Sequence, residues 1–413
     1  LIFDPCGGPE YQTPELKSSG VFAWGQVVKH TNAIVIGAGI GGLAAAAGFA
    51  RRGVAVTLLE QAPKITEVGA GLQISPNGMV VLRALGLEPA LRRRGAVRAQ
   101  AVVLHNDQGK QVARLDLTRL KQGQEYAFLH RADLIDILAE AAKRANVTFE
   151  MAAPVASIRP GDPPVVQMVD GSTRRAGTIV AADGIHSVAR AQLNGADTAA
   201  FTGQVAWRAV VPNHFDHPDE AHLAMGAGRH LVSYPMRDGR LINLVAVEER
   251  ADWAAEGWNH ADDPANLRHA FSGFSGRAAE MLAAVSRVTL WGLHRRPVAE
   301  KWYGAGVAML GDAAHPTLPF LAQGANLALE DAWVLTDAAL RGGEHWMASY
   351  QNRRIARVKR VIDAANSNAW RYHLKPGPFR TLAHLGLGLG SRLAPSRMIG
   401  AYDWLYGHDV TKS

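Results

Sequence analysis

Ile34-Val35-Ile36-Gly37-Ala38-Gly39-Ile40-Gly41-Gly42, followed by Glu60, is the stretch that decides how this chain folds. Residues 33–36 are apolar and rich in β-branched side chains, which reads as a buried parallel strand. Gly37, Gly39 and Gly42 then satisfy G-x-G-x-x-G. The first glycine permits a tight turn, the second lets a pyrophosphate approach the backbone, and the third lets helix and strand pack closely. Residues 43–52 are alanine-rich and predict a helix. Its N-terminus can hold a diphosphate through free N–H groups and the helix dipole. Gly53 ends that helix, and residues 54–59 predict a second strand. Glu60 stands at its end, where a carboxylate can accept from a ribose hydroxyl. A carboxylate there suits the unphosphorylated ribose of FAD or NAD and repels the 2′-phosphate of NADP. The fingerprint alone does not separate FAD from NAD.

Working outward, two distant segments echo the first. Ala182-Asp183-Gly184 ends a buried-strand run at 178–182. Leu310-Gly311-Asp312-Ala313-Ala314-His315-Pro316 ends another that begins at 307. Between them, residues 201–247 change character and predict an antiparallel sheet. One strand covers 204–211, and runs at 231–236 and 241–247 pair across a turn at Asp238-Gly239. Residues 101–117 predict a hairpin. Asp133 is a predicted N-cap for a helix over 134–145. Residues 265–285 and 327–340 predict helices, and the remainder is mainly helical and basic. No internal repeat is present. The order is βαβ, mixed elements, antiparallel sheet, then a return to the first sheet. A ligand site is expected where such layers meet.

Composition bounds the function. The chain has 413 residues, of which 48% are hydrophobic and 20% charged. That suffices for two or three domains around a large core and excludes global disorder. A net charge of +7 is modest at this length, and Arg92-Arg93-Arg94 is too short to make a nucleic-acid surface. A mild positive field helps collect anionic substrates such as carboxylates. Cys6 is the only cysteine, so an internal disulfide and a cysteine-based metal site are excluded and a reducing cytoplasm is expected. His214, His217 and His222 make no metal-ligand pattern. No apolar run reaches the roughly 18 residues needed to span a membrane. Residues 1–30 show no period and no signal-peptide features, so the fold is expected to start near Thr31.

The three segments, in this order, resemble the single-component FAD-dependent aromatic hydroxylases, the para-hydroxybenzoate hydroxylase group. The resemblance runs from about Asn32 to about residue 365. Val68-Gly69-Ala70-Gly71-Leu72-Gln73-Ile74-Ser75-Pro76-Asn77, Arg131 and Pro319-Phe320-Leu321-Ala322-Gln323-Gly324 look most like the salicylate and 3-hydroxybenzoate hydroxylase branch. The 6-hydroxynicotinate monooxygenases are neighbours. The resemblance implies an α/β fold: a Rossmann-type FAD-binding domain, discontinuous in sequence, with an inserted, mainly antiparallel β-sheet substrate domain and a helical C-terminus. FAD-binding parts are expected at 31–100, 101–200 (with a small hairpin) and 291–345. The substrate sheet is expected at 201–290 and the helical region at 346–413.

What the resemblance implies about residues is specific. Asp312 matches the Asp on the FAD ribityl chain or ribose, and Arg131 matches an arginine on the cofactor. Gly71 belongs to a loop on the cofactor side. Asp183-Gly184 matches a motif serving both FAD and the nicotinamide donor. Gly324, Ala325 and Asn326 can aim N–H groups and a helix dipole at the flavin N1/O2 edge. Pro319 matches a proline at the flavin–substrate interface. No second G-x-G-x-x-G exists for NADH or NADPH, and the family lacks a separate nicotinamide domain, so the donor would bind transiently. The implied reaction is hydroxylation of a small aromatic acid or phenol with NAD(P)H and O2 through a flavin C4a-hydroperoxide.

A phenol is more nucleophilic when deprotonated, so a base or hydrogen-bond relay near its hydroxyl helps. The pocket is expected to draw on Gln73, the strand around 205–210, Tyr234 and the Pro319 loop. Trp207 is expected as an aromatic wall and Arg208 as a partner for a carboxylate. Some 6-hydroxynicotinate enzymes carry His where Gln73 stands, so that base is not transferred here. His315 is read as a structural brace. Neighbouring chemistries on this scaffold remain open: epoxidation, ring opening, or a polyketide substrate. So do a flavin-containing binding protein without turnover and a colourless NAD-dependent dehydrogenase. Monomer and homodimer are equally compatible.

Overall fold

The computed structural model describes residues 32–65, 70–250 and 260–412. The expectations for residues 1–30, for a fold start at Thr31 and for Val68-Gly69 lie outside these. The fingerprint folds as β1 (Asn32–Ile36), α1 (Ile40–Ala50) and β2 (Ala55–Leu59). β1 is the centre of a six-stranded sheet. It pairs in parallel with β2 on one side and with Thr178–Ala181 on the other. Thr178–Ala181 pairs in parallel with Val307–Met309. The three motif-bearing strands are therefore neighbours despite lying far apart in sequence. Their C-terminal ends open on one side, where ligands of open α/β sheets bind. These strands are short, mostly apolar and buried, and α1 packs against β1 and β2. α1 packs on the long helix Gly324–Arg341, and alanines along α1 let the two come close.

The second layer is an eight-stranded, mainly antiparallel sheet. From one edge to the other it runs His260–Asp262, Val288–Arg295, Ala200–Pro212, Leu241–Glu249, Arg229–Met236, Glu220–Gly226, Ala101–Asn106 and Gln111–Asp116. The hairpin turn at Asp238-Gly239 sets the register Met236↔Leu241, as sequence indicates. One difference concerns the 101–117 hairpin. Grouped by sequence with the nucleotide-binding part, it completes the edge of this large sheet by parallel pairing of Ala101–Asn106 with Glu220–Gly226. Parallel pairing over such a sequence distance leaves no turn signal to read.

One face of the large sheet carries its own core, with Trp207, Leu244, Phe271 and Met281 packed under the helices Pro264–Ala270 and Arg277–Ala283. The other face looks toward the nucleotide-binding sheet. Asp133 differs from expectation. The helix starts at Arg131 and its N-cap is His130, whose Nδ1 accepts from Ala132 N–H at 3.2 Å. Asp133 sits in the first turn and pairs with Arg237 at 2.9 Å, tying this helix to the hairpin.

Candidate functional site

A cavity of about 390 Å³ lies between the two sheets. Its nucleotide side is made of backbone. Gly37 has φ +98°, and a Cβ there would stand 2.4 Å from the Ala182 carbonyl oxygen; a Cβ on Gly42 would stand 2.0 Å from the Gly37 oxygen. Both glycines thus pack the fold and neither lines the cavity. Gly39 is different: a Cβ there would meet nothing within 4 Å, because it would project into open space at the N-terminus of α1. That open cradle before a helix N-terminus fits a pyrophosphate. Glu60 lies outside the lining. Its Oε2 accepts from Ala38 N–H at 2.7 Å and its Oε1 from Ala62 N–H at 2.8 Å, so it braces the glycine loop. Its remaining lone pairs can still meet a ribose hydroxyl.

The lining continues through Arg131, Gly184, Asp312 and the segment 316–325. Asp312 is surrounded by protein, yet its side chain is exposed, because it faces the cavity. Burial raises its pKa, and His315 and Arg131 oppose the rise. Asp183 does not line the cavity. Its Oδ2 accepts from Val188 N–H at 2.9 Å, while Oδ1 is buried with no hydrogen-bond partner among the described residues. Desolvation pushes its pKa up. Gly71 does line the cavity, and its N–H donates to Asn243 Oδ1 at 2.6 Å.

The loop from Pro319 to the start of Gly324–Arg341 forms the floor. Ala322 adopts φ +52°, a left-handed conformation costly for alanine, and this turns the chain into the helix. The N–H groups of Gly324, Ala325 and Asn326 have no partner within the helix because they begin it. The group of Asn326 expected at the flavin is its N–H, and its side chain does separate work. It is fully buried, takes Ser75 N–H at 3.1 Å on Oδ1 and donates to the Gln73 carbonyl at 3.1 Å. It clamps the helix to the loop that carries Gln73.

Beneath this floor is a buried ionic network. Asn77 donates to Glu330 at 2.7 Å and Gln323 donates to Ser75 at 3.0 Å. Arg354 joins Glu330 at 2.5 Å to Asp331 at 2.7 Å, all fully buried. Asp331 in turn accepts from Gly311 N–H at 3.0 Å and contacts His315 Nε2 at 2.5 Å. Burial alone would raise the Asp331 pKa; His315 and Arg354 outweigh it and hold the carboxyl at about 2. His315 therefore stands in the wall that fixes the Gly311-Asp312 turn and does not line the cavity.

The sheet side of the cavity is a largely apolar chamber with a few polar groups. Arg208 lines it and lies over the Trp291 ring at 4.4 Å. Trp207 is a correction. Adjacent residues of a strand point to opposite faces, so with Arg208 inward Trp207 faces the far core. There it sits 1% exposed against Phe271, with its Nε1–H donating to Asp262 at 2.7 Å. The aromatic wall comes instead from Trp291, Tyr234, Phe320 and Tyr126, joined by Tyr372, Tyr402 and Tyr406 from the C-terminal region. Tyr234 stacks near Phe128 at 5.1 Å, and burial raises its pKa. Tyr126 donates its O–H to Gln73 Oε1 at 2.7 Å, which orients the Gln73 amide.

His230 was not among the expected residues. It lines the cavity two positions before Val232 and four before Tyr234, on the same strand face. Having picked Tyr234, the period of two along a strand points to His230 as well. The C-terminal tyrosines carry no such signal, since only the helix packing brings them here.

Residues 30–365 match the family described as FAD binding domain. The chain is 35% identical over 389 residues to a 3-amino-4-hydroxybenzoate 2-monooxygenase of Streptomyces platensis, covering 91% of this chain and 96% of that one. The chain belongs to the FAD-dependent aromatic hydroxylases. It is also 33% identical over 392 residues to a 3-hydroxybenzoate 6-hydroxylase of Polaromonas naphthalenivorans, with 91% and 96% covered. A salicylate hydroxylase in complex with substrate shares the fold, with TM-score 0.76 at 24% identity and 93% and 97% of the two chains covered. The hydroxylase is thus an FAD-dependent monooxygenase, and its α/β architecture with an antiparallel sheet and helical C-terminus agrees with the sequence reading. No described helix is long and apolar enough to cross a membrane.

Proposed function

We propose that this hydroxylase adds one oxygen atom to a small aromatic acid or phenol of the salicylate or hydroxybenzoate type, with NADH or NADPH as donor. The observation that carries the reading is the chamber beside the flavin-facing floor. Its walls are apolar and aromatic, which suits a ring. Its polar groups include the Arg208 guanidinium, the His230 imidazole and the Tyr126–Gln73 pair. A carboxylate meets Arg208, and a phenolic hydroxyl meets His230. The hydroxybenzoate substrates in the relatives' names support the same size and charge.

FAD fits the other half of the cavity. Gly39 and the α1 N-terminus would hold the diphosphate, and Glu60 the ribose. Arg131 and Asp312, which line the cavity, would contact the remaining polar edge, with Asp183 bracing the Gly184 turn behind them, and the N–H groups of Gly324 and Ala325 would meet the flavin ring. Once bound and reduced, FAD activates O2 for transfer of one oxygen atom to the ring. The protein's own work is positional. Pro319 and Tyr234 bracket the ring, and the stacked tyrosines of the C-terminal region exclude water. His230 suits proton removal because burial, then the neighbouring His373, keeps it neutral. A cytoplasmic monomer or homodimer is the setting we assign.

The test is NADH and NADPH oxidation by purified protein against salicylate, the hydroxybenzoates and hydroxynicotinates, with product structures from mass spectrometry and NMR. Stimulation by one compound, yielding its hydroxylated form, supports the proposal. Stimulation by none of the acids, with turnover of a bulkier neutral aromatic, contradicts it.

A further inference from the structure

His230 does not end at the cavity wall. The ring is 3% exposed, and its Nδ1 lies 2.7 Å from Nε2 of His373. Nδ1 of His373 lies 2.7 Å from Oε1 of Glu249, whose side chain is 51% exposed. The three side chains run from cavity to solvent in hydrogen-bond steps. Two backbone bonds pin the outer part: Gly228 N–H donates to the His373 carbonyl at 3.2 Å, and Glu249 N–H donates to the Gly228 carbonyl at 2.8 Å.

The order of the groups gives the chain a direction. An ionised carboxylate only accepts, so Glu249 fixes the His373 proton on Nδ1. His373 Nε2 is then an acceptor, which fixes the His230 proton on its own Nδ1. Nε2 of His230 is left as the acceptor available to a ligand, on a ring that lines the cavity. Resting a positive charge on either ring is disfavoured. Desolvation lowers both histidines, and Arg229 adds to this at His373 while Glu249 opposes it. The other titratable groups close by are Glu248, paired with Arg229 at 3.5 Å, and Tyr372, in ring contact with His230 at 5.4 Å.

We infer that His230, His373 and Glu249 form a proton exit, in which His230 takes the proton of a phenolic substrate and Glu249 delivers a proton to solvent. The balance is simple. The phenolic O–H bond breaks and His230 Nε2–H forms, and the electron pair stays on the phenolate oxygen. The Nδ1 proton of His230 moves to His373 Nε2, the Nδ1 proton of His373 moves to the Glu249 carboxylate, and that proton leaves to water. The result is a phenolate in the cavity and one proton outside. The polarity of the rings reverses and is restored when the product phenol regains a proton. His373 and Glu249 act through His230 and are positioning residues. The inference rests on the phenolic substrate proposed above.

The test compares wild-type holoenzyme with Glu249→Gln and Glu249→Asp, using 3-hydroxybenzoate and salicylate as probes. Glu249 is half exposed, so both variants should fold and keep FAD. Glu249→Gln should bind the probes as wild type does, by flavin spectral shift. Its turnover should fall on the order of tenfold at neutral pH and recover as pH rises, with Glu249→Asp restoring the wild-type profile. A wild-type pH profile in Glu249→Gln overturns the relay. Nitrogen NMR of the histidine rings gives a readout that needs no substrate. His230 and His373 should both be protonated on Nδ1 in wild type, and Glu249→Gln should lose that preference. An Nε2-protonated His230 in wild type overturns the inference. If neither probe is turned over, the phenolic reading fails, and the ring tautomers still decide the relay.

Discussion

Arg354→Met should destabilise the hydroxylase more than any other single change in the C-terminal helix Trp346–Tyr372. Arg354, Glu330 and Asp331 are all fully buried, with contacts of 2.5 and 2.7 Å. Removing one partner from a buried pair typically costs 3–5 kcal/mol, because a charge is left uncompensated. Here each carboxylate keeps other partners: Arg357 at 2.8 Å and Asn77 at 2.7 Å on Glu330, and His315 at 2.5 Å and Gly311 N–H at 3.0 Å on Asp331. Methionine fills most of the vacated volume. The low end of the range, about 3 kcal/mol, is therefore expected, or a fall in Tm on the order of 5 °C. The acid limb should change as well. In the parent, Asp331 titrates near 2 when folded and near its ordinary 3.8 when unfolded. Its contribution is then complete above about pH 4 and lost as pH falls toward 2. Without Arg354 the folded carboxyl titrates closer to its unfolded value, so less stability is left to lose between about pH 4 and 2 and the acid limb flattens. Thermal unfolding followed from pH 3 to 7, with and without excess FAD, reads both effects. A Tm within about 1 °C of the parent at neutral pH, with an unchanged acid limb, would refute the network's role.

The remaining predictions separate packing from binding. Gly39→Val should leave the apoprotein's Tm unchanged and abolish FAD retention, since the added side chain enters only the open cradle; Gly42→Ala should lower the Tm of the apoprotein itself, because its Cβ meets the Gly37 carbonyl. Asp312→Ala should purify with reduced flavin content and an intact circular dichroism spectrum, and full flavin occupancy with full activity would remove Asp312 from the site. Trp207→Phe should cost roughly 1–3 kcal/mol of stability and leave KM for the aromatic substrate unchanged, whereas Arg208→Met should raise KM for a carboxylate-bearing substrate with a smaller effect on a neutral phenol.

Much of this molecule was legible before its structure. The nucleotide-binding strands were readable because each is a short apolar run followed by glycines with a physical task. Sequence failed where two faces compete. Trp207 and Arg208 both sit in a strand buried on both sides, so hydropathy could not say which pointed to the ligand. Asn326 was read for its N–H at a helix start, and nothing in the sequence announced that its side chain would bond to Ser75 and Gln73. His230 was recoverable from the alternation that exposes Tyr234. His373, Tyr402 and Tyr406 were not, because only the return of the C-terminal region brings His373 to His230 and the two tyrosines to the cavity. The Arg354 network was hidden for a like reason: charged residues in a basic helix read as solvated until packing buries them.

The central claim is transfer of an oxygen atom from O2 to an aromatic acid on FAD held by this cavity. The most direct measurement is a single-turnover reaction of the yellow holoenzyme with NAD(P)H, heavy-isotope O2 and the stimulating aromatic acid. The account predicts a product carrying one heavy oxygen atom on its ring. Reducing equivalents consumed with only peroxide formed, or heavy oxygen absent from a hydroxylated product, would contradict it.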